Sequence, residues 1–214
     1  MPHRIFIAIN FPEEIKRELE KFQSQWPELP IRWTKPENLH ITLVFLGYLA
    51  DEELVKVCQI TKEVTQRHTP FSINLNKILY GPPKKMPPRP PKFSKTVIVE
   101  EDKTKSLEKF WRPRMIWVEG EKSKELANLQ IDLEKSLTSS EGVKFEPEER
   151  SFSSHITLGR IKTWEFRQIE LEERPNVETD ISLSFDVSSI EVMESELKRT
   201  GPEYTTLESC PLSS

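Results

Sequence analysis

Glycine is scarce here, six residues in 214, and the sequence holds no Gly-rich loop of the kind that cradles nucleotide phosphates. Cysteine is scarcer still. Cys58 and Cys210 lack the spacing of a disulfide framework, which fits reduced thiols in a cytoplasmic protein. No apolar run approaches the length of a membrane span, and Ile5 to Ile9 is too brief for a signal-peptide core. Positive charge is not in excess either: 31 Lys and Arg stand against 35 Asp and Glu, a net charge of -4. That balance disfavours bulk binding to duplex DNA and leaves room only for a local basic patch. Nucleophilic triads find no support, since Gly-x-Ser-x-Gly does not occur and neither cysteine lies near a histidine.

What is present reads as alternating strands and helices, an α+β pattern in one unit spanning 1–214. Arg4 to Ile9 is a near-continuous apolar strand, and Pro12 opens a helix to about Trp26 with Ile15, Leu19 and Phe22 on one stripe. Ile31-Arg32-Trp33 is a short extended piece before turn residues 35–38. A strand from Leu39 to Leu46 should stop at Gly47, and Asp51 can cap a helix to about His68. Phe71 to Leu75 alternates as a strand. Prolines mixed with Lys and Arg between 81 and 92 predict an exposed basic loop, the start of a Pro-rich basic segment near 81–112 that includes an edge strand at 96–99. Pro113 to Val118 is a buried strand, and Glu121 to Leu137 an amphipathic helix. Strands are predicted at Phe152–Ile161, Ile181–Met193 and Tyr204–Leu207, with a frayed tail after Glu208.

Only four histidines occur, and two open identical tetrapeptides: His40-Ile41-Thr42-Leu43 and His155-Ile156-Thr157-Leu158. On a strand, alternation puts His and Thr on one face and Ile and Leu on the other. Two such strands brought together offer two imidazoles and two hydroxyls to one pocket. Imidazole titrates near neutrality, so one ring can accept a proton while the other donates one. The hydroxyls can hold phosphoryl oxygens. A zinc site needs a third ligand and closer spacing, and neither is present; no cofactor is expected. His3 and His68, at a terminus and a helix end, read as solvated.

The run Trp33-Thr34-Lys35-Pro36-Glu37-Asn38-Leu39-His40-Ile41-Thr42-Leu43-Val44-Phe45-Leu46-Gly47 resembles the first signature of the 2H phosphoesterases. The branch it looks like is that of the 2′-5′ RNA ligases, or RNA 2′,3′-cyclic phosphodiesterases. Ser154-His155-Ile156-Thr157-Leu158-Gly159-Arg160 resembles the second, and weaker echoes at 4–12, 113–118 and 194–204 extend the likeness over almost the whole chain. The resemblance implies a bilobal duplicated fold, two antiparallel-rich sheets with helices outside and a central cleft. It implies metal-free hydrolysis of an RNA terminal 2′,3′-cyclic phosphate to a 2′-phosphate. His40 would protonate the leaving 3′ oxygen, His155 would activate water, and Thr42, Thr157 and Arg160 would bind substrate. The expected partner is an RNA 3′ end or a small cyclic nucleotide, with no membrane and a monomeric state.

Departures from the family pattern are Val44, where Lys or Arg is frequent, and Ser154, where Pro is frequent. Strict alternation puts Arg160 opposite His155, so reaching the cleft requires a bulge that Gly159 can permit. Phe45 falls on the Ile41/Leu43 face and is expected in the core, although it and Trp33 are candidates to stack a base. Competing readings are 2′-5′ ligation, hydrolysis of another small cyclic phosphate, and an RNA-end-binding module without turnover.

Overall fold

The first strand sets the frame: β1 (His3–Asn10) buries Ile5, Ile7 and Ile9 on one face and Phe6 and Ala8 on the other. The computed structural model describes residues 2–82, 113–147, 152–199 and 201–213. The remaining strands are β2 (Ile31–Trp33), β3 (His40–Leu49), β4 (Phe71–Gly81), β5 (Met115–Gly120), β6 (His155–Ile161), β7 (Thr179–Val187), β8 (Ser189–Lys198) and β9 (Gly201–Pro211). The helices are α1 (Glu13–Gln23), α2 (Asp51–Thr65), α3 (Lys124–Thr138) and the short α4 (Thr163–Phe166). The fold is α+β and largely antiparallel, in the order β7-β4-β5-β6-β3-β1-β8-β9, with β2 added to β6.

The path has two halves. The strands β3-β1-β8-β9 form one and β6-β5-β4-β7 the other, joined where Ile41 pairs with Ile156. Ile5, Ile7, Ile41, Leu43, Ile156 and Leu158 meet Val57, Val64, Leu129 and Leu133 of the helices in one core. Burial of this apolar surface is the main stabilising term. The opposite face of the sheet is left for the cleft. Under it lies a second, small cluster of Phe6, Ala8 and Met193, with Tyr204 packed against it.

Several expectations are corrected. β3 runs through Gly47, which takes a left-handed backbone (φ 77°) inside the strand rather than ending it. Asp51 is the first helical residue of α2, not its cap, and the Glu53 carboxylate accepts the Ala50 backbone N–H at 2.9 Å. The apolar stretch 181–193 is two strands, β7 and β8, separated at Ser188. The tail is docked, because β9 continues to Pro211, Cys210 is fully buried, and the Leu212 N–H donates to the Ser188 carbonyl at 2.8 Å. His3 bonds Glu194 and Asp51, and His68 bonds Asp132, so neither is merely solvated. Most of the basic loop, and the edge strand expected at 96–99, lie outside the described residues.

Candidate active site

The pairing of Ile41 with Ile156 is antiparallel. Around such a pair His40 faces the side of Thr157 and Thr42 the side of His155, all on the face away from the core. The four side chains line one cleft of about 480 Å³. The duplicated tetrapeptides therefore meet, each strand's histidine across from the other's threonine.

Each imidazole is held the same way. Nδ1 of His40 donates to the Asn38 carbonyl at 2.8 Å, and Nδ1 of His155 donates to the Ser153 carbonyl at 2.9 Å. A carbonyl can only accept, so Nδ1 carries the proton and Nε2 is left for chemistry. Nε2 of His40 accepts the Thr42 hydroxyl at 3.0 Å when the ring is neutral. Burial holds both pKa values below the ordinary 6.5, against the raising pull of the two carbonyls. Charge on His155 lowers His40 further, whereas Glu119 works to raise His155.

The strands also share an irregularity. Pairing of β3 with β1 passes from Thr42 to Val44, and pairing of β6 with β5 passes from Thr157 to Gly159, so each leaves its leucine, Leu43 or Leu158, as an extra residue. A bulge of this kind re-aims the side chains beyond it. It brings Arg160 to the cleft, with Gly159 at the bend, and it brings Phe45 there too. Phe45 is thus not a core residue; it is 45% exposed, with the Arg4 guanidinium 5.0 Å over its ring. Val44 is buried instead, so charge in that half comes from Arg4 on the neighbouring strand. A Cβ on Gly159 would lie 2.5 Å from Ile31 and 2.8 Å from Trp33, because β2 crosses closely there.

Beyond this framework the surroundings diverge. His155 stacks on Trp117, with ring centroids 3.8 Å apart, and the Trp117 indole N–H has no hydrogen-bond partner among the described residues. His40 meets Phe6 at 5.0 Å and the edge of Tyr204 at 5.2 Å. Arg32 on β2 pairs directly with Arg160 on β6. Like charges opposite one another are unfavourable, and an anion between them would relieve the repulsion. Arg4, Arg32, Lys35 and Arg160 line the cleft, and among the described residues no Asp or Glu does. In a protein of net charge -4 this is a local basic site. No three His, Cys, Asp or Glu side chains among the described residues are grouped to hold a metal ion.

Sequence reading singled out His40, Thr42, His155, Thr157 and Arg160, and all five line the cleft. It did not single out Arg4, Arg32, Lys35 or Tyr204. Arg32 carried a signal, a cation alternating with Ile31 and Trp33 in an extended tripeptide. Arg4 opened the predicted first strand with no comparable mark.

Comparison with known proteins agrees with this outline. The family model described as LigT like Phosphoesterase matches residues 9–91 and 116–204. A Methanocaldococcus jannaschii protein named RNA 2′,3′-cyclic phosphodiesterase is 28% identical over 205 residues, 95% of this chain and 98% of that one. A Thermotoga maritima protein of the same name is 31% identical over 218 residues, covering 97% and 94%. Among solved structures, one from Thermus thermophilus superposes with a TM-score of 0.72 at 26% identity, covering 98% and 97% of the two chains. Escherichia coli LigT complexed with 3′-AMP gives a TM-score of 0.73 at 21% identity, with full coverage of both chains, a likeness of fold. No helix among the described residues is long and apolar enough to cross a membrane.

Proposed function

Because this chain belongs to the LigT-like phosphoesterase family, we propose that it hydrolyses the terminal 2′,3′-cyclic phosphate of RNA to a 2′-phosphate, with two histidines and no metal ion. The observation that carries this reading is the pair of Nδ1–H imidazoles, each anchored to a carbonyl two residues upstream and each leaving Nε2 for the cleft. Both near relatives named above bear the name RNA 2′,3′-cyclic phosphodiesterase. Thr42 and Thr157 hold the non-bridging oxygens, and Arg160 with Arg32 offsets the phosphate charge. Phe45 offers a face to the terminal base.

One ring takes a proton from water and the other gives one to the leaving 3′ oxygen. The surroundings weigh for the reverse of the division the family resemblance implies. Burial lowers the pKa of both rings, but charge on His155 lowers His40 further, whereas Glu119 and the Trp117 face work to raise His155. His40 is then the base and His155 the acid. The working unit is one domain over 1–214, monomeric and cytoplasmic.

The test is a short RNA ending in a cyclic phosphate, incubated in EDTA with wild type, His40→Ala and His155→Ala. Conversion to a 2′-phosphate, lost in both variants, is expected. A metal requirement, a 3′-phosphate product, or no product from folded wild type would overturn the reading. A substrate with bridging sulfur as leaving atom needs no acid and should rescue His155→Ala, not His40→Ala; the opposite rescue restores the family's division.

A further inference from the structure

β3 carries a second irregularity beyond the one that exposes Phe45: its pairing with β1 passes from Phe45 to Gly47, leaving Leu46 as an extra residue. Leu43 and Leu46 both turn into the core. With two extra residues in the strand, Thr42, Phe45 and Tyr48 all project from the cleft face. Their partners on the unbulged β1 are Ala8, Phe6 and Arg4, two residues apart at each step, or about 7 Å along a strand. Directly paired residues share a face. Arg4 lines the cleft and lies over Phe45, so its partner Tyr48 stands on that same face, one step further out.

Tyr48 is 72% exposed. Arg4 donates to Ser195 at 3.3 Å, and no carboxylate among the described residues pairs with it. An exposed ring, an unneutralised guanidinium and a second ring thus succeed one another outward from the phosphate site. Single-stranded nucleic acid is bound by such an alternation of aromatic faces and cations. In the other half Arg160 takes the place of Phe45, and β6 ends one residue later, at Ile161. The ladder has one direction only.

We infer that Tyr48 and Arg4 form a second nucleotide subsite, which makes the substrate an RNA strand rather than a mononucleotide. Tyr48 stacks the base of the nucleotide preceding the cyclic end, and Arg4 takes the phosphodiester between them. This rests on the reading of the cleft as a cyclic phosphodiesterase site.

The experiment measures kcat/KM on a nucleoside 2′,3′-cyclic phosphate, and on a dinucleotide and a tetranucleotide bearing the same end. Wild type should prefer the dinucleotide to the mononucleotide by about tenfold, the scale of one stacked base, with little added by the tetranucleotide. Tyr48→Ala should collapse that preference, and Tyr48→Phe should keep it. A wild type without the preference, or a preference that survives in Tyr48→Ala, overturns the inference. If wild type hydrolyses none of the three, the phosphodiesterase reading fails. Calorimetric titration with a 3′-phosphorylated mononucleotide and dinucleotide then decides the subsite by the same ratio.

Discussion

The two halves of the cleft are built from one phrase and equipped differently. Both have a His-Ile-Thr-Leu strand, an extra leucine that bends it, and an imidazole tied back to a carbonyl. In the half of His40 the bend delivers Phe45, and the histidine sits among rings. In the half of His155 the bend delivers Arg160 beside Arg32, with Glu119 paired across from the histidine. On the proposed reading, the repeated phrase supplies the proton-transfer pair and the residue after the bend supplies recognition: one half for a base, the other for a phosphate.

The largest effect should come from the shared part. His40→Ala and His155→Ala should each lower kcat by roughly 10²- to 10⁴-fold, in single-turnover assays on a cyclic-ended RNA. Equal losses would mark them as one unit, and a tolerant member would break the symmetry. The pH profile belongs to this pair. The base must be neutral and the acid protonated, so kcat/KM rises through one pKa and falls through the other. Burial holds both below 6.5 in the free protein. The maximum of kcat/KM should therefore lie on the acid side of 6.5, and a plateau extending well above neutrality would contradict it.

The divergent part should show smaller and distinguishable losses. Arg32→Ala or Arg160→Ala should raise KM by about tenfold, the worth of one charge-assisted bond, and flatten its dependence on salt. Arg32→Ala should leave Tm unchanged or higher, because Arg160 no longer faces a like charge. Phe45→Ala should raise KM without altering the salt slope. If the two kinds of variant respond to salt alike, the division between a base half and a phosphate half is wrong.

The halves also differ in how tightly they are packed. Gly159 and Val44 occupy equivalent places after the extra leucine, yet only Gly159 lies under β2. Gly159→Val, which copies one half onto the other, should cost about 1–3 kcal/mol through overpacking, read as a lowered urea midpoint. The smallest effect is expected at Trp117. Trp117→Leu removes the face under His155 and should lower that ring's pKa by NMR titration, with Trp117→Phe closer to wild type. An unchanged His155 titration would remove Trp117 from the account of the asymmetry.

The sequence made the two histidine strands legible because an identical phrase in a chain with few histidines is hard to produce by composition. Arg160 was legible only through the family resemblance, with Gly159 able to supply the bulge that strict alternation required. Phe45 was misplaced by the same rule of alternation that placed His40 and Thr42 correctly, since nothing in Leu43-Val44 announces the extra residue. Arg4 lay beyond reach for another reason, and Arg32's alternating tripeptide stayed mute for the same one: their partners, Tyr48 and Arg160, are supplied by pairings between distant segments. The docked tail escaped for that reason as well, its end being tied to Ser188 and His68.

The interleaving of the strands has a consequence in time. The half that holds His155 is assembled from β4 to β7, all delivered before residue 188. The half that holds His40 opens with β1 and β3 but is completed only by β8 and β9, which come last in chain order among the described strands. On a ribosome the earlier-born histidine therefore waits with an open strand edge while the later-born one settles into a finished sheet. Such an edge is a place where nascent chains pair wrongly. Tyr204 of β9 lines the cleft, so the cleft is complete only once the closing hairpin has docked.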